Sequence, residues 1–278
     1  MIEATVFVSV MLMGLAYPPV IDLHCHLLPG IDDGPATMAE SLALAADLAA
    51  DGVRSAAATP HVHPGHPGVV RDELPDRRAE LQGAIDAEGI ELQVLPGGEV
   101  DLAYGLELGD DDLRGLTLGG NGRDLLVETP YGPVSDLFEE QLFSMSLRGF
   151  RILLAHPERN RAFQENPERL AGLVARGVLL QVTADALLGS PRRSGSGRSA
   201  AELVERGLTG VLASDSHGSH VAREPLSGGL RAAQELVGPD ARVLVEDAPA
   251  AILAGQPLPD PPRGQGRGRR GLFGRRRD

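Results

Sequence analysis

The sequence predicts an α/β fold in which seven strand–helix units form a distorted (βα)7 barrel. Its strands form a parallel sheet. Short apolar runs alternate with helical patterns from Val20 to about Gly238, and polar residues follow most of the runs. Strands that alternate with helices are typical of parallel sheets. The chain has 278 residues, which is long enough for one such domain with a full core.

Seven runs are predicted to be strands because they are short and apolar and lie between turn-forming residues. They are Val20–His24, Val53–Ala58, Glu91–Leu95, Asp124–Glu128, Arg151–Ala155, Val178–Val182 and Gly210–Ala213. The clearest helix spans residues 37–50, because it begins with a capping box of Thr37 and Glu40 and stops at Gly52. Its predicted apolar stripe is Leu42, Ala45, Ala46 and Ala49.

Six of the seven predicted strands carry Asp, Glu or His at or just beyond their carboxyl ends. These residues are His24, His26, His61, Glu99, Glu128, His156, Asp215 and His217. The carboxyl ends of the strands in a parallel β/α barrel converge on one face, and active sites form there. We therefore expect these side chains to meet at one mouth of the barrel.

Each of these signals is weak by itself. His24 and His26 face the same side of a strand while Cys25 points away, and Asp215 and His217 have the same two-residue spacing. A polar strand end or a salt bridge explains any one of them equally well, and Cys25 is predicted to be a core residue. Taken together, however, the eight side chains predict a multinuclear metal site.

The predicted ligands offer nitrogen and oxygen but no thiolate, which suits Mn, Fe or Zn. Eight ligands are too many for one ion, so two or three ions are expected. Such a cluster activates water as a nucleophile and binds the oxygens of a phosphoryl group.

The same motifs resemble the PHP (polymerase and histidinol phosphatase) superfamily. The resemblance lies in His-Cys-His at 24–26, Thr-Pro-His at 59–61, a Glu after the third strand, His-Pro-Glu-Arg at 156–159 and Ser-Asp-Ser-His at 214–217. Residues 26–34, His-Leu-Leu-Pro-Gly-Ile-Asp-Asp-Gly, precede a Met-x-Glu-Ser helix at 38–41. This long motif resembles the manganese-dependent tyrosine phosphatases of capsular and exopolysaccharide gene clusters, the CpsB/YwqE type. The similarity extends from about Val20 to Leu253.

The resemblance implies a TIM-like barrel of the PHP type with a trinuclear Mn²⁺ site formed by the eight side chains named above. It also implies that Arg159 binds the phosphate, and Arg223 resembles a second such arginine at a slightly longer spacing. The implied substrate is a phosphotyrosyl protein, and the implied partner is a tyrosine autokinase of polysaccharide synthesis. Thr183 and Ala186 depart from the family pattern, in which Asn and Ser are usual.

The composition of the chain argues against two other classes of function or mechanism. A net charge of −13 and an aromatic content of 3% argue against a protein that binds nucleic acid. No Cys-x5-Arg loop follows Cys25, so a cysteinyl-phosphate mechanism is unsupported. A single cysteine also favours a reducing compartment, and we expect a cytoplasmic location.

Three alternatives remain open from the sequence. The same site suits a small-molecule phosphatase acting, for example, on histidinol phosphate, or a metal-dependent nuclease. A metal-binding regulatory module without activity is the third. The general acid is also open, and His63, His66 and Asp33 are candidates by position only.

The predicted domain boundaries are an apolar extension at 1–19, a phosphoesterase domain at 20–256 and a tail at 257–278. The apolar run is shorter than the roughly 20 residues of a membrane-spanning helix and lacks the positive charge of a signal peptide, so no firm membrane insertion is expected. The tail is rich in Pro, Gly and Arg and is predicted to be disordered.

Overall fold

The computed structural model describes residues 19–189, 194–218 and 225–264. The strands in these ranges are β1 (Val20–Cys25), β2 (Val53–Ala58), β3 (His61–Val62), β4 (Gln93–Leu95), β5 (Glu99–Val100), β6 (Asp124–Glu128), β7 (Arg151–Ala155), β8 (Leu179–Thr183) and β9 (Val211–Ala213). The helices are α1 (Met38–Ala50), α2 (Leu74–Ala87), α3 (Leu102–Glu107), α4 (Asp110–Gly115), α5 (Phe138–Leu147), α6 (Arg161–Glu165), α7 (Pro167–Val174), α8 (Gly195–Glu205), α9 (Leu226–Val237) and α10 (Asp247–Leu253).

All strand pairs are parallel and form two ladders, β1-β2-β4 and β3-β5-β6-β7-β8-β9. Strands β2 and β3 are two halves of one longer strand, and so are β4 and β5. Ser55 pairs with Gln93 and His61 with Glu99, so the partners are 38 residues apart in both ladders. Seven continuous paths therefore correspond to the seven predicted strands.

Proline and glycine explain where the two strands break. Pro60 separates β2 from β3, and residues 96–98, Pro-Gly-Gly, separate β4 from β5. Proline has no N–H to donate to a ladder. A Cβ on Gly97 would lie 3.0 Å from the Thr59 side chain, so glycine allows the two breaks to pack closely.

The first and last strands meet at their carboxyl ends. Cys25 forms an isolated parallel bridge with Ser216, and the Asp215 N–H donates to the His24 carbonyl oxygen at 2.8 Å. The His26 N–H donates to the Ser216 carbonyl oxygen at 2.9 Å. No regular ladder closes the ring within the described ranges. The predicted α/β barrel-like fold is confirmed, with two broken strands and a closure that consists of a few hydrogen bonds.

Two apolar clusters hold the sheet in place. The larger one lies between the strands and the helices and includes Leu44 of α1, Ile85 of α2 and Cys25. The smaller one uses alternate strand residues such as Leu126 and Leu153 and packs against α10. Full burial of a leucine contributes about 1.5–3 kcal/mol, so these layers fix the strands that carry the polar mouth residues.

Helix α1 begins as predicted, but its buried face coincides only in part with the predicted stripe. The Thr37 side chain accepts a hydrogen bond from the Glu40 N–H at 3.3 Å, and the Glu40 carboxylate accepts from the Ala36 N–H at 2.7 Å. The predicted stripe included Ala46, which is exposed. The buried residues are Ser41, Leu44, Ala45 and Leu48, and the predicted Leu42 and Ala49 are partly buried against the same core. Leucine gains more than alanine from burial, so Leu44 and Leu48 determine which face is turned inward.

The cap of α1 gives a stability prediction. Thr37→Ala should lower the free energy of unfolding by about 1 kcal/mol, because it leaves the Glu40 N–H without its side-chain acceptor. Thr37→Ser keeps the hydroxyl and should retain most of that stability. Urea titrations of the three proteins provide the measurement, and equal midpoints for Thr37→Ala and the parent would contradict the assigned cap.

The two ends of the chain are only partly described. Residues 257–264 contain no helix or strand, but Leu258 packs on the smaller cluster, and the Gly264 N–H donates to the Glu205 carbonyl oxygen at 2.9 Å. Residues 1–18, residues 265–278 and Arg223 lie outside the described residues. Within the described part of the chain, no helix combines the length and apolar character needed to cross a membrane.

Candidate metal centre

All eight predicted ligands lie in the described residues, and the fold brings them to one mouth. They come from the ends of β1, β6, β7 and β9 and from the short strands β3 and β5. Seven of the eight are buried, and His217 is partly buried. A register shift in β1 between Asp22 and Cys25 allows Leu23 to join the inner apolar cluster while His24 and His26 both face the mouth.

Glu99 lies at the centre of this mouth. Its Oε1 is 2.9 Å from His156 Nε2, and its Oε2 is 3.1 Å from His61 Nδ1. The same Oε2 is 3.3 Å from His24 Nε2 and 3.5 Å from His26 Nε2. One carboxylate thus faces four imidazoles that three strands carry: His24 and His26 at the end of β1, His61 in β3 and His156 directly after β7.

The ligand atoms fall into four groups, in each of which the atoms lie within 4.8 Å of one another. The groups are His26, Asp33, His61 and His217; His24, His156 and Asp215; His24, His26 and Glu99; and His61, Glu99 and Glu128. Four residues belong to two groups each, so neighbouring groups share ligands. This arrangement suits several adjacent cations better than one isolated ion, and the nitrogen and oxygen donors suit Mn, Fe or Zn.

Three carboxylate oxygens at the mouth have no hydrogen-bond partner among the described residues. They are Glu99 Oε2, Glu128 Oε1 and Asp215 Oδ1, all of them buried. A buried acceptor without a partner costs about 1–3 kcal/mol, and more when it is charged. A bound cation removes this penalty, so the residues present fit a metal cluster.

Two of the ligand-bearing residues have an unusual backbone conformation. His156 has φ of 34° and Asp215 has φ of 53°, and they are the only non-glycine residues with positive φ in the described ranges. Such a conformation costs on the order of 1–3 kcal/mol and persists where the surrounding structure fixes it. It directs both side chains inward directly after β7 and β9.

Carboxylates at the mouth favour the charged form of His24 in the metal-free protein, whereas burial and the neighbouring His26 lower the pKa of His217. Burial lowers the pKa of His24, but the carboxylates of Asp215 and Glu99 outweigh it and raise that pKa to about 9. Burial opposes ionisation of Glu99 as well, yet His24 and His156 hold the pKa of Glu99 well below its usual value. Burial and the neighbouring Glu99 raise the pKa of Glu128.

Gln181 and Asp32 contact the candidate ligands, and the sequence did not indicate either role. The Gln181 Oε1 lies 3.0 Å from His24 Nδ1 and accepts from the His156 N–H at 3.1 Å. The Asp32 Oδ2 lies 2.9 Å from His26 Nδ1. A polar residue inside the apolar strand β8 and the acidic pair of the long first motif were the available signals.

The three residues proposed by position as the general acid differ in placement. Asp33 Oδ1 is 3.4 Å from His61 Nε2 and 3.3 Å from His217 Nε2, and it belongs to one ligand group. The His66 ring stacks on His61 at a centroid distance of 4.8 Å. His63 is exposed, and its Nδ1 accepts from the Gly65 N–H.

Arg159 lies at the rim beside the ligands. Its Nη1 donates to Asp215 Oδ2 at 2.5 Å, and its Nη2 lies 3.7 Å from Asp185 Oδ1. The side chain is 40% exposed, so the guanidinium is fixed by carboxylates but remains open to the mouth. Arg223, the second predicted arginine, cannot be placed because it is outside the described residues.

Known proteins share both the sequence and the fold. The family model for capsular polysaccharide synthesis proteins, CpsB/CapC, matches residues 20–253. Tyrosine-protein phosphatase YwqE of Bacillus subtilis is 35% identical over 202 residues, which cover 71% of this chain and 77% of YwqE. Tyrosine-protein phosphatase CpsB of Streptococcus agalactiae serotype V is 25% identical over 203 residues, covering 71% of this chain and 83% of CpsB.

A solved structure gives the same result. It comes from work on YwqE of Bacillus subtilis and CpsB of Streptococcus pneumoniae, described there as metal-dependent tyrosine phosphatases. It superposes with a TM-score of 0.76 at 30% identity and covers 88% of this chain and 98% of that one. The resemblance seen in the sequence motifs is therefore confirmed, and the chain belongs to the CpsB/CapC family of capsular polysaccharide synthesis proteins.

Proposed function

We propose that this chain is a metal-dependent phosphatase that hydrolyses phosphotyrosine in proteins, with residues 20–256 as the catalytic domain. The observation that carries the proposal is the set of four overlapping ligand groups at one mouth, beside an arginine that is open to solvent. The named activities of YwqE and CpsB support the choice of substrate. The nuclease and small-molecule alternatives have no comparable support.

The proposed cofactor is Mn²⁺, as two or three ions, with Fe and Zn as the other metals that suit these donors. The proposed ligands are His24, His26, His61, Glu99, Glu128, His156, Asp215 and His217. Glu99 belongs to two ligand groups and would contribute to the binding of ions in both. Asp32 and Gln181 orient His26 and His24 through hydrogen bonds, as outer partners of metal ligands commonly do.

When bound, such ions make a coordinated water nucleophilic near neutral pH and polarise phosphoryl oxygens. The protein's own contribution is to position groups around them. Arg159 presents a planar fork of donors that matches phosphate oxygens, and Asp215 and Asp185 hold that fork at the rim. His66 and Asp33 line the cavity at the same mouth and are the proposed candidates for the group that protonates the leaving oxygen. Glu158 accepts from the Thr183 N–H and ties the Arg159 turn to β8.

The proposed protein substrate is a tyrosine autokinase that controls capsular or exopolysaccharide synthesis. The family's description supports a role in capsular polysaccharide synthesis, and the names of YwqE and CpsB support a phosphotyrosyl protein as the substrate. The choice of an autokinase comes from the resemblance of the sequence motifs. A cytoplasmic location, expected from the single cysteine, stays a prediction.

Metal binding should release protons. His24 has a pKa of about 9 in the metal-free protein, against 6.5 in an unfolded chain, and so carries a proton at pH 7. A histidine must be neutral to bind a metal. The stability that the charged His24 gives the metal-free protein is complete below pH 6.5 and is lost as pH rises through 9. Over the same range the affinity for Mn²⁺ should increase.

Calorimetric titration with Mn²⁺ at pH 7, in two buffers with different protonation enthalpies, measures that release. We expect the release of at least one proton per protein molecule at pH 7 and of fewer protons at pH 9. Heats that do not depend on the buffer would contradict the assigned coupling.

The direct test of the proposed function is turnover before and after metal removal. Purified protein is analysed for metals and assayed with p-nitrophenyl phosphate, a phosphotyrosyl peptide and histidinol phosphate. Chelation should abolish turnover, and Mn²⁺ should restore it, with the peptide preferred over histidinol phosphate. Activity that survives complete chelation would refute the metal-dependent mechanism, and a large preference for histidinol phosphate would favour the small-molecule alternative.

A further inference from the structure

A cavity of about 280 Å³ opens from the candidate metal centre on the side of β3 and β6. His61 and Glu128, both proposed ligands, form its inner end. His66 and Tyr131 line it further out. Cavities that bind drug-sized ligands measure about 300–1,000 Å³, so this one suits a single aromatic side chain rather than a large molecule.

Tyr131 is an unusually exposed aromatic residue for this chain. The whole sequence has six Phe, three Tyr and no Trp, yet Tyr131 is 84% exposed. Phe138, Phe150 and Phe163, in contrast, are buried in the core. Tyrosine is enriched at recognition surfaces because its ring offers an apolar face and its hydroxyl a polar end, and Tyr131 presents both beside the polar mouth.

The loop that carries Tyr131 is fixed although the ring is exposed. Asn160 Nδ2 donates to the carbonyl oxygens of Pro130 and Gly132, at 2.6 and 3.0 Å, on either side of the tyrosine. Thr129 Oγ1 donates to the Ala155 carbonyl oxygen at 2.5 Å. The Glu128 carboxylate lines the same cavity, and burial together with that carboxylate raises the pKa of Tyr131. The ring is thus held before any ligand arrives, which reduces the entropy lost on binding.

His66 provides a second flat surface in the same cavity. Its ring stacks on His61 with an interplanar angle of 23°. Its backbone is held in a turn. The His66 N–H donates to the His63 carbonyl oxygen at 2.9 Å, and the Val69 N–H donates to the His66 carbonyl oxygen at 3.0 Å. Two rings on well-fixed loops therefore border the path from the metal centre to solvent.

We propose that Tyr131 and His66 form the subsite that binds the aromatic ring of the substrate and so makes the enzyme prefer aryl over alkyl phosphate esters. This inference rests on the proposed function and adds the residues that select the substrate. The phosphate would lie at the metal centre between Arg159 and the ligands. The ester oxygen would then point into the cavity, where the attached ring meets Tyr131.

Phosphonates test the subsite without the chemistry of a leaving group. Benzylphosphonate carries a ring where phosphotyrosine does, and methylphosphonate lacks it. Both are measured as competitive inhibitors of p-nitrophenyl phosphate turnover and by direct calorimetric binding to the metal-loaded protein. The parent should bind benzylphosphonate about tenfold more tightly, a factor consistent with one aromatic contact and the apolar area it buries.

Four variants distinguish a role of these two rings in binding from general damage to the metal centre. Tyr131→Ala should reduce the benzyl preference to less than twofold and leave methylphosphonate affinity and metal content unchanged. Tyr131→Phe loses the hydroxyl but keeps the ring, and it should keep the preference. His66→Ala should lower the preference partially. Phe143→Ala removes an exposed ring on α5 that does not line the cavity, and it should change nothing.

The outcomes distinguish the subsite from the function it rests on. An unchanged benzyl preference in Tyr131→Ala, in a protein that hydrolyses phosphotyrosine normally, overturns the subsite alone. Equal losses for both phosphonates in Tyr131→Ala also overturn it, because they indicate damage to the metal centre. A metal-loaded parent that hydrolyses no phosphomonoester overturns the proposed function and the subsite together.

Discussion

Glu99→Gln should lower kcat/KM for p-nitrophenyl phosphate by at least about a thousandfold and reduce the amount of bound metal. The Glu99 carboxylate is within 3.5 Å of imidazole nitrogens of His24, His26, His61 and His156. An amide keeps the shape but removes the negative charge that would bridge two cations. Metal activation of water and phosphoryl oxygens supplies several kcal/mol, and each 1.36 kcal/mol corresponds to a factor of ten.

The measurement pairs steady-state kinetics with elemental analysis of the dialysed protein. Glu80→Gln is the matched control, because Glu80 is an exposed residue of α2 and undergoes the same chemical change. Full metal content with full turnover in Glu99→Gln would remove Glu99 from the proposed cluster.

Arg159→Ala should lower kcat/KM for a phosphotyrosyl peptide by about a hundred- to a thousandfold while metal content stays at the parent level. Loss of one preorganised donor to a developing charge has an effect of that size. Arg159→Lys keeps the charge without the planar fork, so it should recover only part of the loss. The expected pattern is a catalytic defect with the metals in place.

Arg161→Ala is the matched control for this variant. Arg161 lies two residues further on, its side chain is 88% exposed, and it pairs with Glu165 on its own helix. It should keep normal kinetics. An Arg159→Ala protein with parent-like kcat/KM would show that phosphate is held elsewhere, and one that loses its metal would assign Arg159 a structural role through Asp215.

The strands of the fold could be predicted from the sequence where a run of residues was long enough to show a pattern. Strands such as β6 and β7 are short apolar runs between turn residues, and their bounds agree with the prediction. The two-residue strands β3 and β5 are too short to show any periodicity, so His61 and Glu99 were expected after strands rather than within them. The predicted stripe of α1 was wrong in including Ala46 and in leaving out Leu44 and Leu48, because leucines gain more from burial than alanines.

In the candidate site, too, the features set by nearby residues could be predicted, and the contacts between distant residues could not. The ligand residues could be found because each lies at or just after the end of an apolar run. In a parallel β/α barrel, the carboxyl ends of the strands meet at one face. Gln181 is 157 residues from His24 along the chain, and only the folded sheet reveals that they touch. The positive φ of His156 and Asp215 could not be predicted either, because only a few per cent of non-glycine residues adopt that conformation, although Asp and His do so more often than most.

The most direct test of the central claim is a crystal structure of protein grown with Mn²⁺, with anomalous diffraction data collected at the manganese edge. We expect two or three anomalous peaks at the mouth, with Glu99 between neighbouring peaks and His24, His26, His61 and His156 among the ligands. A mouth without anomalous density, or side chains that point away from it, would contradict the metal centre and with it the proposed phosphatase.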